Sequence, residues 1–410
     1  MDATRNVPIA GAGPVAPIAD GCKRPKLLFL VTEDWYFCSH RLPVARAARD
    51  AGFEVVVAAR VQAHGERIAA EGFGLRPLRW RRRGDRTFAQ AAAIAEIARL
   101  YRREQPDLLH HVALKPVLYG GLARALVFGG GSRGPAVIDA VMGLGSGFAA
   151  HGIAARWRRQ WLRRALRLAL AGNRGRVVVQ NPEDGAALTA LGVNPARLSL
   201  IRGSGVDTRH FAPLPPPAEG VVTVALVARM LRAKGVLEAV AAVTMLRERN
   251  LPVRLLLAGP TDPDNPGSLT AAELSALAAA PGICWLGPVD DVRRVWREAA
   301  IAVLPSTYGE GVPKALLEAA ACARPIVASD VPGCREVVRK GPEQSGILVP
   351  PGDIGAFAAA IAALAADPAR RAAMGRSGRR LVEDDFAEEV VARATVALYR
   401  EALAGRGAAA

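Results

Sequence analysis

The sequence predicts an α/β protein of two doubly wound parallel-sheet domains in tandem, and three observations predict it. Apolar runs of strand length alternate with Ala-rich segments of helical pattern. A Pro-rich stretch ending in glycine, FAPLPPPAEG at residues 211 to 220, breaks that alternation once, after which it restarts. With 410 residues, 51% of them hydrophobic, the chain can bury two separate cores.

In the first half the runs KLLFLVT (26 to 32), FEVVVAA (53 to 59), DLLHHV (107 to 112), AVIDAV (136 to 141) and RVVVQN (176 to 181) read as parallel strands between helices. VVTVALV (221 to 227), VRLLLAG (253 to 259), ICWLG (283 to 287), IAVLPS (301 to 306) and PIVASD (325 to 330) repeat the pattern. The expected division is a disordered tail at 1 to 24, a first domain at 25 to 213 and a second at 214 to 386. A C-terminal helix at 387 to 410 is expected to pack back on the first domain. Ligands of open α/β sheets lie beyond the carboxyl ends of the strands, so the site is expected between the two domains.

No run is long and apolar enough to span a bilayer, and the start lacks the basic-then-apolar layout of a secretory signal. Five widely spaced cysteines, none in a CxxC pair, argue against a disulfide framework and a zinc site. A cytoplasmic location is expected. Up to residue 215 there are 32 Lys and Arg against 16 Asp and Glu, and beyond it 22 against 22, so the whole formal charge of +16 sits in the first half. That asymmetry points to a polyanion or an anionic membrane surface as a partner of the first half.

The most informative stretch is STYGEGVPKALLEAAACARPIVASDVPG, residues 306 to 333. Pro313 suits the first position of a helix, where a missing N–H costs nothing. The N–H groups of Gly311, Val312 and Lys314 would then converge at the positive end of the helix dipole, an anion site suited to phosphate. Glu310 precedes that point and Glu318 follows it in the second turn. Carboxylates accept hydrogen bonds from hydroxyls and repel phosphate, so a ligand with phosphate in the middle and hydroxyl-rich rings at both ends fits: a nucleotide-sugar. After the first strand of the second half, VARMLRAKG places Arg229 and Lys234 five apart, able to replace a metal as counter-charge for a diphosphate.

The strand-RxxxxKG at Arg229 and Lys234, the AGP at 258 to 260 and the E-G-x-P-x4-E run at Glu310, Gly311, Pro313 and Glu318 resemble retaining glycosyltransferases of family 4 with the GT-B fold. TEDWYFCSHRLPVARAARDAGFEVVVAAR (32 to 60), HHVALKPVLYGGLAR (110 to 124), MGLGSGF (142 to 148), QNPEDGAAL (180 to 188) and IRGSGVDTRHF (201 to 211) resemble bacterial members that build surface glycans and lipid-linked oligosaccharides. The resemblance implies two Rossmann-like domains facing each other across a cleft. It implies a donor, UDP-sugar by likeness to the lipid-linked subgroup, in the second domain. It implies a glycan or polyprenyl-diphosphate-linked acceptor in the first. Arg229 and Lys234 would bind the diphosphate, Glu310 the transferred sugar and Glu318 the ribose. No metal or other cofactor is expected. The resemblance implies a retaining mechanism in which the departing phosphate takes the acceptor's proton; in the rival double displacement Glu310 is the nucleophile.

The family's Gly-Gly turn after the first strand is replaced here by Thr32-Glu33-Asp34-Trp35-Tyr36. Asp34 is a candidate contact to an acceptor hydroxyl and Trp35 to a sugar face. His40, His110 and His111 fall at strand ends, and His110 or His111, with Lys115, is a candidate contact to the sugar or an acceptor phosphate; alternation lets only one of the pair face a given side. Asp262-Pro263-Asp264 mimics a metal-binding DxD but reads as a polar loop. In IAARWRRQWLRRALRLALA (153 to 171), Trp157, Trp161, Leu162, Ala165, Leu166, Leu168 and Ala169 share one half of a helix. Arg156, Arg159, Arg163, Arg164 and Arg167 share the other. The apolar half equally suits packing on the domain's own sheet, and in either arrangement the exposed arginines, with Arg81, Arg82 and Arg83, favour peripheral association with the inner face of the cell membrane.

Two rivals remain. A UDP-sugar 2-epimerase shares the fold, but the E-G-x-P-x4-E run is not its signature. A basic nucleic-acid-binding protein is disfavoured, with no reading motif and aromatics at only 5%, so no nucleic-acid partner is expected. GLGSG at 143 to 147 lacks the spacing of a dinucleotide fingerprint.

Overall fold

The computed structural model describes residues 24–80, 87–129, 134–143, 160, 164–167, 169–170, 175–218, 220–308 and 311–407. Outside these lie Glu310, the arginines at 81 to 83, all of the expected tail except Arg24, and most of the 153 to 171 helix.

The chain divides into two compact units. The first holds a seven-stranded sheet, ordered β3-β2-β1-β4-β5-β6-β7. Its strands are β1 (Lys26–Glu33), β2 (Glu54–Arg60), β3 (Gly74–Pro77), β4 (Leu108–Val112), β5 (Ala136–Val141), β6 (Arg176–Val179) and β7 (Leu198–Leu200). The second holds a six-stranded sheet, ordered β10-β9-β8-β11-β12-β13. These are β8 (Val222–Val227), β9 (Val253–Ala258), β10 (Ile283–Gly287), β11 (Ile301–Leu304), β12 (Ile326–Ser329) and β13 (Gly346–Val349). Every paired neighbour is parallel, and both sheets start from the outward-then-reversed order of the dinucleotide-binding fold. The strands read from sequence are all present, and β3, β7 and β13 are additional. All three are sheet edges of three or four residues, and β3 ends in proline, so none has the length or alternation that marks a strand.

Helix starts follow local chemistry. Asn181 accepts from the Asp184 amide at 2.7 Å ahead of a helix that begins at Pro182. Thr270 and Glu273 form a reciprocal capping box.

The boundary between the units differs from the expected one. The chain passes from the first unit to the second at Gly205 and returns at Glu388. The Pro-rich segment is not a free linker but a strap on the second unit. Arg379 donates to the carbonyls of Thr208, Phe211 and Ala321 at 3.0, 2.7 and 2.9 Å, and Arg324 donates to those of Leu214 and Pro215 at 3.3 and 2.7 Å. Proline has no N–H of its own to anchor it, and arginine supplies donors in a fixed fork. The helix Glu388–Gly407 belongs to the first unit, where Tyr399 is fully buried against Phe29 and Phe53.

Both histidines of β4 are buried, one on each side of the sheet. His110 Nδ1 lies 2.5 Å from Tyr399 Oη, and its Nε2 has no hydrogen-bond partner among the described residues. His111 bridges Tyr101 Oη, 2.8 Å from Nε2, and Asp139, 2.7 Å from Nδ1. Burial, then the nearby charges of Arg41 and His111, push the His110 pKa well below the usual 6.5. The unfolded chain therefore takes up a proton below pH 6.5 that the folded chain resists, and stability should fall as the pH drops from that value. The expected slope from this residue is up to about 1.4 kcal/mol per pH unit. Urea titrations between about pH 7 and pH 5 on wild type and His110→Gln check it, since the variant should lose that share of the slope.

Candidate functional site

In the second unit the strand order reverses between β8 and β11, and the two segments leaving their carboxyl ends carry the residues singled out above. The segment after β8 runs through Arg229 to a tight turn, Arg232–Lys234, and then Gly235 at φ +76° before the helix Val236–Glu248. A Cβ on Gly235 would overlap the carbonyl oxygen of Pro305, just beyond β11. The Thr307 amide donates to the Ala233 carbonyl at 3.1 Å. The backbone at Lys234 is thus clamped to the strand end that leads into the glycine turn.

Arg229 is positioned from its other side. Its guanidinium is ion-paired with Asp262, whose amide donates to Ser268 Oγ at 2.9 Å. The Asp262 loop is itself zipped to the β8 segment, with Leu231 bridging Ser268 and the Leu269 amide donating to the Met230 carbonyl at 2.8 Å. Gly259, at φ +142°, rests so closely on the Ala228 carbonyl that no side chain fits. The Asp-Pro-Asp loop read as merely polar therefore has a definite task in Asp262, which fixes the arginine head.

Pro313 is the N-cap rather than the first helical residue: its ψ of 117° is extended, and its carbonyl accepts from Leu316 at 3.1 Å. Val312 turns its side chain into the core beside Leu316 and Leu317, so it anchors the turn while Gly311 stays partly open. On the helix Lys314–Ala321 only Lys314, Ala315 and Glu318 are not buried. Glu318 therefore shares the accessible face with the first-turn amides, as i, i+3 and i+4 spacing requires. Glu310 lies outside the described residues.

In the first unit three expectations are corrected. Asp34 is fully buried, and its carboxylate accepts from the amides of Trp35, Gln62 and His64, each at 2.8 Å. It clamps the loop after β2 to that after β1 and has no face for an acceptor. His110 and His111, at 1% and 0% exposure, are framework residues, because β4 is central and covered on both faces. Partly exposed are His40, stacked on Tyr36 at 4.2 Å, and Lys115, whose ammonium lies 5.6 and 5.4 Å from the ring centres of Trp80 and Tyr119. Burial lowers the Lys115 pKa, and the charge of Glu33 partly offsets that. Glu33 escaped sequence reasoning. It ends β1 at the order reversal, is 3% exposed, and pairs with Arg60 at 3.6 Å. Its signal was a charged residue closing an otherwise apolar strand.

Of the two arrangements open to the arginine-rich helix, its described part adopts packing on the sheet. Leu166 and Leu170 pack into a core with Val117 and Val177, while Arg164 and Arg167 stay exposed. These apolar residues cover the protein's own sheet rather than a membrane. No described helix is long and apolar enough to cross a bilayer.

Two family models match the chain: Glycosyl transferase 4-like over residues 26–172 and Glycosyl transferases group 1 over 221–367, together well over half of it. Among curated proteins, the alpha-maltose-1-phosphate synthase of Mycolicibacterium smegmatis is 32% identical over 53% of this chain and 60% of its own length. The D-inositol 3-phosphate glycosyltransferase of Kribbella flavida is 32% identical over 55% and 56%. The putative colanic acid biosynthesis glycosyltransferase WcaL of Escherichia coli is 31% identical over 50% and 52%. The chain thus spans between about half and three fifths of the length of these relatives. Among solved structures, sucrose-phosphate synthase from Thermosynechococcus elongatus superposes with a TM-score of 0.77 at 22% identity, covering 93% of this chain and 100% of that one. Anabaena HepE in complex with UDP gives 0.68 at 16%, covering 89% and 97%. At these identities the likeness establishes the GT-B fold.

Proposed function

The chain belongs to the glycosyltransferases, 4-like in its first unit and group 1 in its second, and on that premise we propose that it transfers a hexose or N-acetylhexosamine from a nucleotide-sugar with retention of configuration. One observation carries the donor side of this reading: the Arg229 and Lys234 segment is clamped to the strand end that leads into the glycine turn, at the order reversal of one sheet, with Glu318 on the open face of the helix that follows. A diphosphate at the helix start meets two cations and the dipole of that helix. Glu318 would accept from ribose hydroxyls, and Glu310 would take the hydroxyls of the moving sugar.

As the anomeric bond breaks, negative charge gathers on the leaving phosphate. The two cations stabilise it, and that phosphate accepts the proton of the incoming hydroxyl. Counter-charge from side chains makes a metal unnecessary. The acceptor belongs to the first unit and is a glycan or a polyprenyl-diphosphate-linked sugar of surface polysaccharide assembly. The exposed arginines of that unit, with the surplus charge of the first half, suit an anionic membrane surface. UDP-sugar is the donor proposed, in keeping with the UDP held by HepE.

The test is release of nucleoside diphosphate from UDP-, GDP- and ADP-sugars in the presence of EDTA, with proton NMR of the product's anomeric configuration. Inversion, or release that stops with EDTA and returns with magnesium, rules the reading out. Glu318→Ala should raise the nucleotide Kd roughly 10-fold or more, the worth of a charged hydrogen bond, with a smaller change in turnover, which equilibrium titration and initial rates separate.

A further inference from the structure

Beside the carboxyl edge of the first unit's sheet lies a groove of about 650 Å³ that the donor chemistry leaves unused. Trp80 follows β3, Lys115 follows β4, and Tyr119 stands one turn further along the helix Leu114–Phe128. The opposite wall is the helix Thr87–Glu104, whose groove face changes character along its length: Ala89, Ala92 and Ala93 come first, then Glu96 and Arg99. Phe88, four residues before Ala92 on the same helix, is 89% exposed. Gln90, among the alanines, and Arg79 complete the lining, so three cations face a single carboxylate, and Glu96 already accepts from the Arg79 amide at 3.1 Å.

We infer that this groove binds the prenyl-phosphate portion of a lipid-linked acceptor, with the Lys115 ammonium on the phosphate and the alanine wall with Phe88 along the first isoprene units. The inference deepens the transferase reading and rests on it. Charge selects the occupant. A neutral glycan gains nothing from three cations, and a free phosphate gains nothing from an alanine wall ending in a bare phenylalanine. The Lys115 ammonium, held over two aromatic rings in a half-buried position, is a charge fixed in advance. Trp80, only 4% exposed, offers the groove its ring face beneath that ammonium. Glu33, whose field reaches Lys115, ends β1 at the order reversal, so the polar end of the groove adjoins the edge where an acceptor hydroxyl must be presented.

The experiment is calorimetric titration of the full chain with farnesyl diphosphate below its micelle concentration, with inorganic pyrophosphate and farnesol as separate arms and UDP titrated into the same sample. Farnesyl diphosphate should bind roughly 10-fold or more tighter than either fragment. Lys115→Met should remove that advantage over farnesol. Ala92→Trp, at an exposed position, should weaken farnesyl diphosphate and farnesol alike and leave pyrophosphate unchanged. Equal affinity for farnesyl diphosphate and one of its fragments, or wild-type affinity in both variants, overturns the inference. A sample that binds UDP but not farnesyl diphosphate also overturns it while leaving the transferase reading intact. One that binds farnesyl diphosphate yet consumes no nucleotide-sugar sinks the transferase reading instead.

Discussion

Arg229→Ala and Lys234→Ala are each expected to lower turnover about 10² to 10³ fold, the usual loss when one fixed partner of a developing charge is removed. The size of the effect follows from pre-organisation. Arg229 is not a loose surface cation: it is held by Asp262, which is 9% exposed and lies in a loop zipped to the β8 segment by two backbone pairings. A charge already in place needs no rearrangement as the bond breaks, so its loss should appear in kcat more than in KM. Asp262→Ala leaves the cation but frees it, and should cost about 10-fold, less than loss of the charge itself. Steady-state rates on the three variants check the order. An Asp262→Ala rate below that of Arg229→Ala would mean that the carboxylate, not the cation, acts on the substrate.

Gly259→Ala should be the most destabilising single-methyl change in the second unit. Its φ of +142° is one that side chains rarely adopt, and the new Cβ would overlap the Ala228 carbonyl oxygen, a backbone atom that cannot rotate away. Ala228 is also tied from below, its amide donating to the Ala258 carbonyl at 3.0 Å, and the Gly259 amide donates to the Gly287 carbonyl at 2.8 Å. Relief of the clash must therefore move the β8 segment that carries Arg229. A loss of about 2 to 4 kcal/mol is expected, with nucleotide affinity falling in parallel. Urea denaturation of the variant with and without UDP measures both. Gly405→Ala, where added methyl meets nothing within 4 Å, is the matched control and should be near neutral.

The two-sheet plan was legible because long buried parallel strands are nearly continuous apolar runs, as in FEVVVAA and VTVALV. The edges were not, because a strand such as GLRP carries too few residues for a period and is paired on one side only. The proposed donor site was read from the sequence on a different basis. Arg229, Lys234, Gly311 and Glu318 sit in motifs whose spacing mirrors local backbone geometry. Long-range partners were invisible: nothing in Asp262-Pro263-Asp264 says that its first carboxylate reaches back 33 residues to Arg229. The first unit misled at Asp34, His110 and His111, because a polar residue at a strand end reads alike whether it faces a ligand or closes a buried network. Three amides on Asp34 and the Tyr101, His111 and Asp139 chain settle those positions as framework. The Pro-rich strap was misplaced for the same reason, since the guanidinium groups that fasten it come from Arg324 and Arg379, more than 100 residues away.

The central claim is that Arg229, Lys234 and the start of one helix hold a pyrophosphate. Thermal unfolding of wild type, Arg229→Ala and Lys234→Ala with uridine, UMP or UDP tests it most directly. A ligand at 100 times its Kd adds about 2.7 kcal/mol, so at one common concentration the tighter-bound UDP should raise the wild-type midpoint well above uridine. Most of the increment from UMP to UDP should vanish in both variants, while Glu318→Ala loses its share with uridine as well. A full UDP increment in both cation variants, or equal shifts for uridine and UDP in wild type, would contradict it.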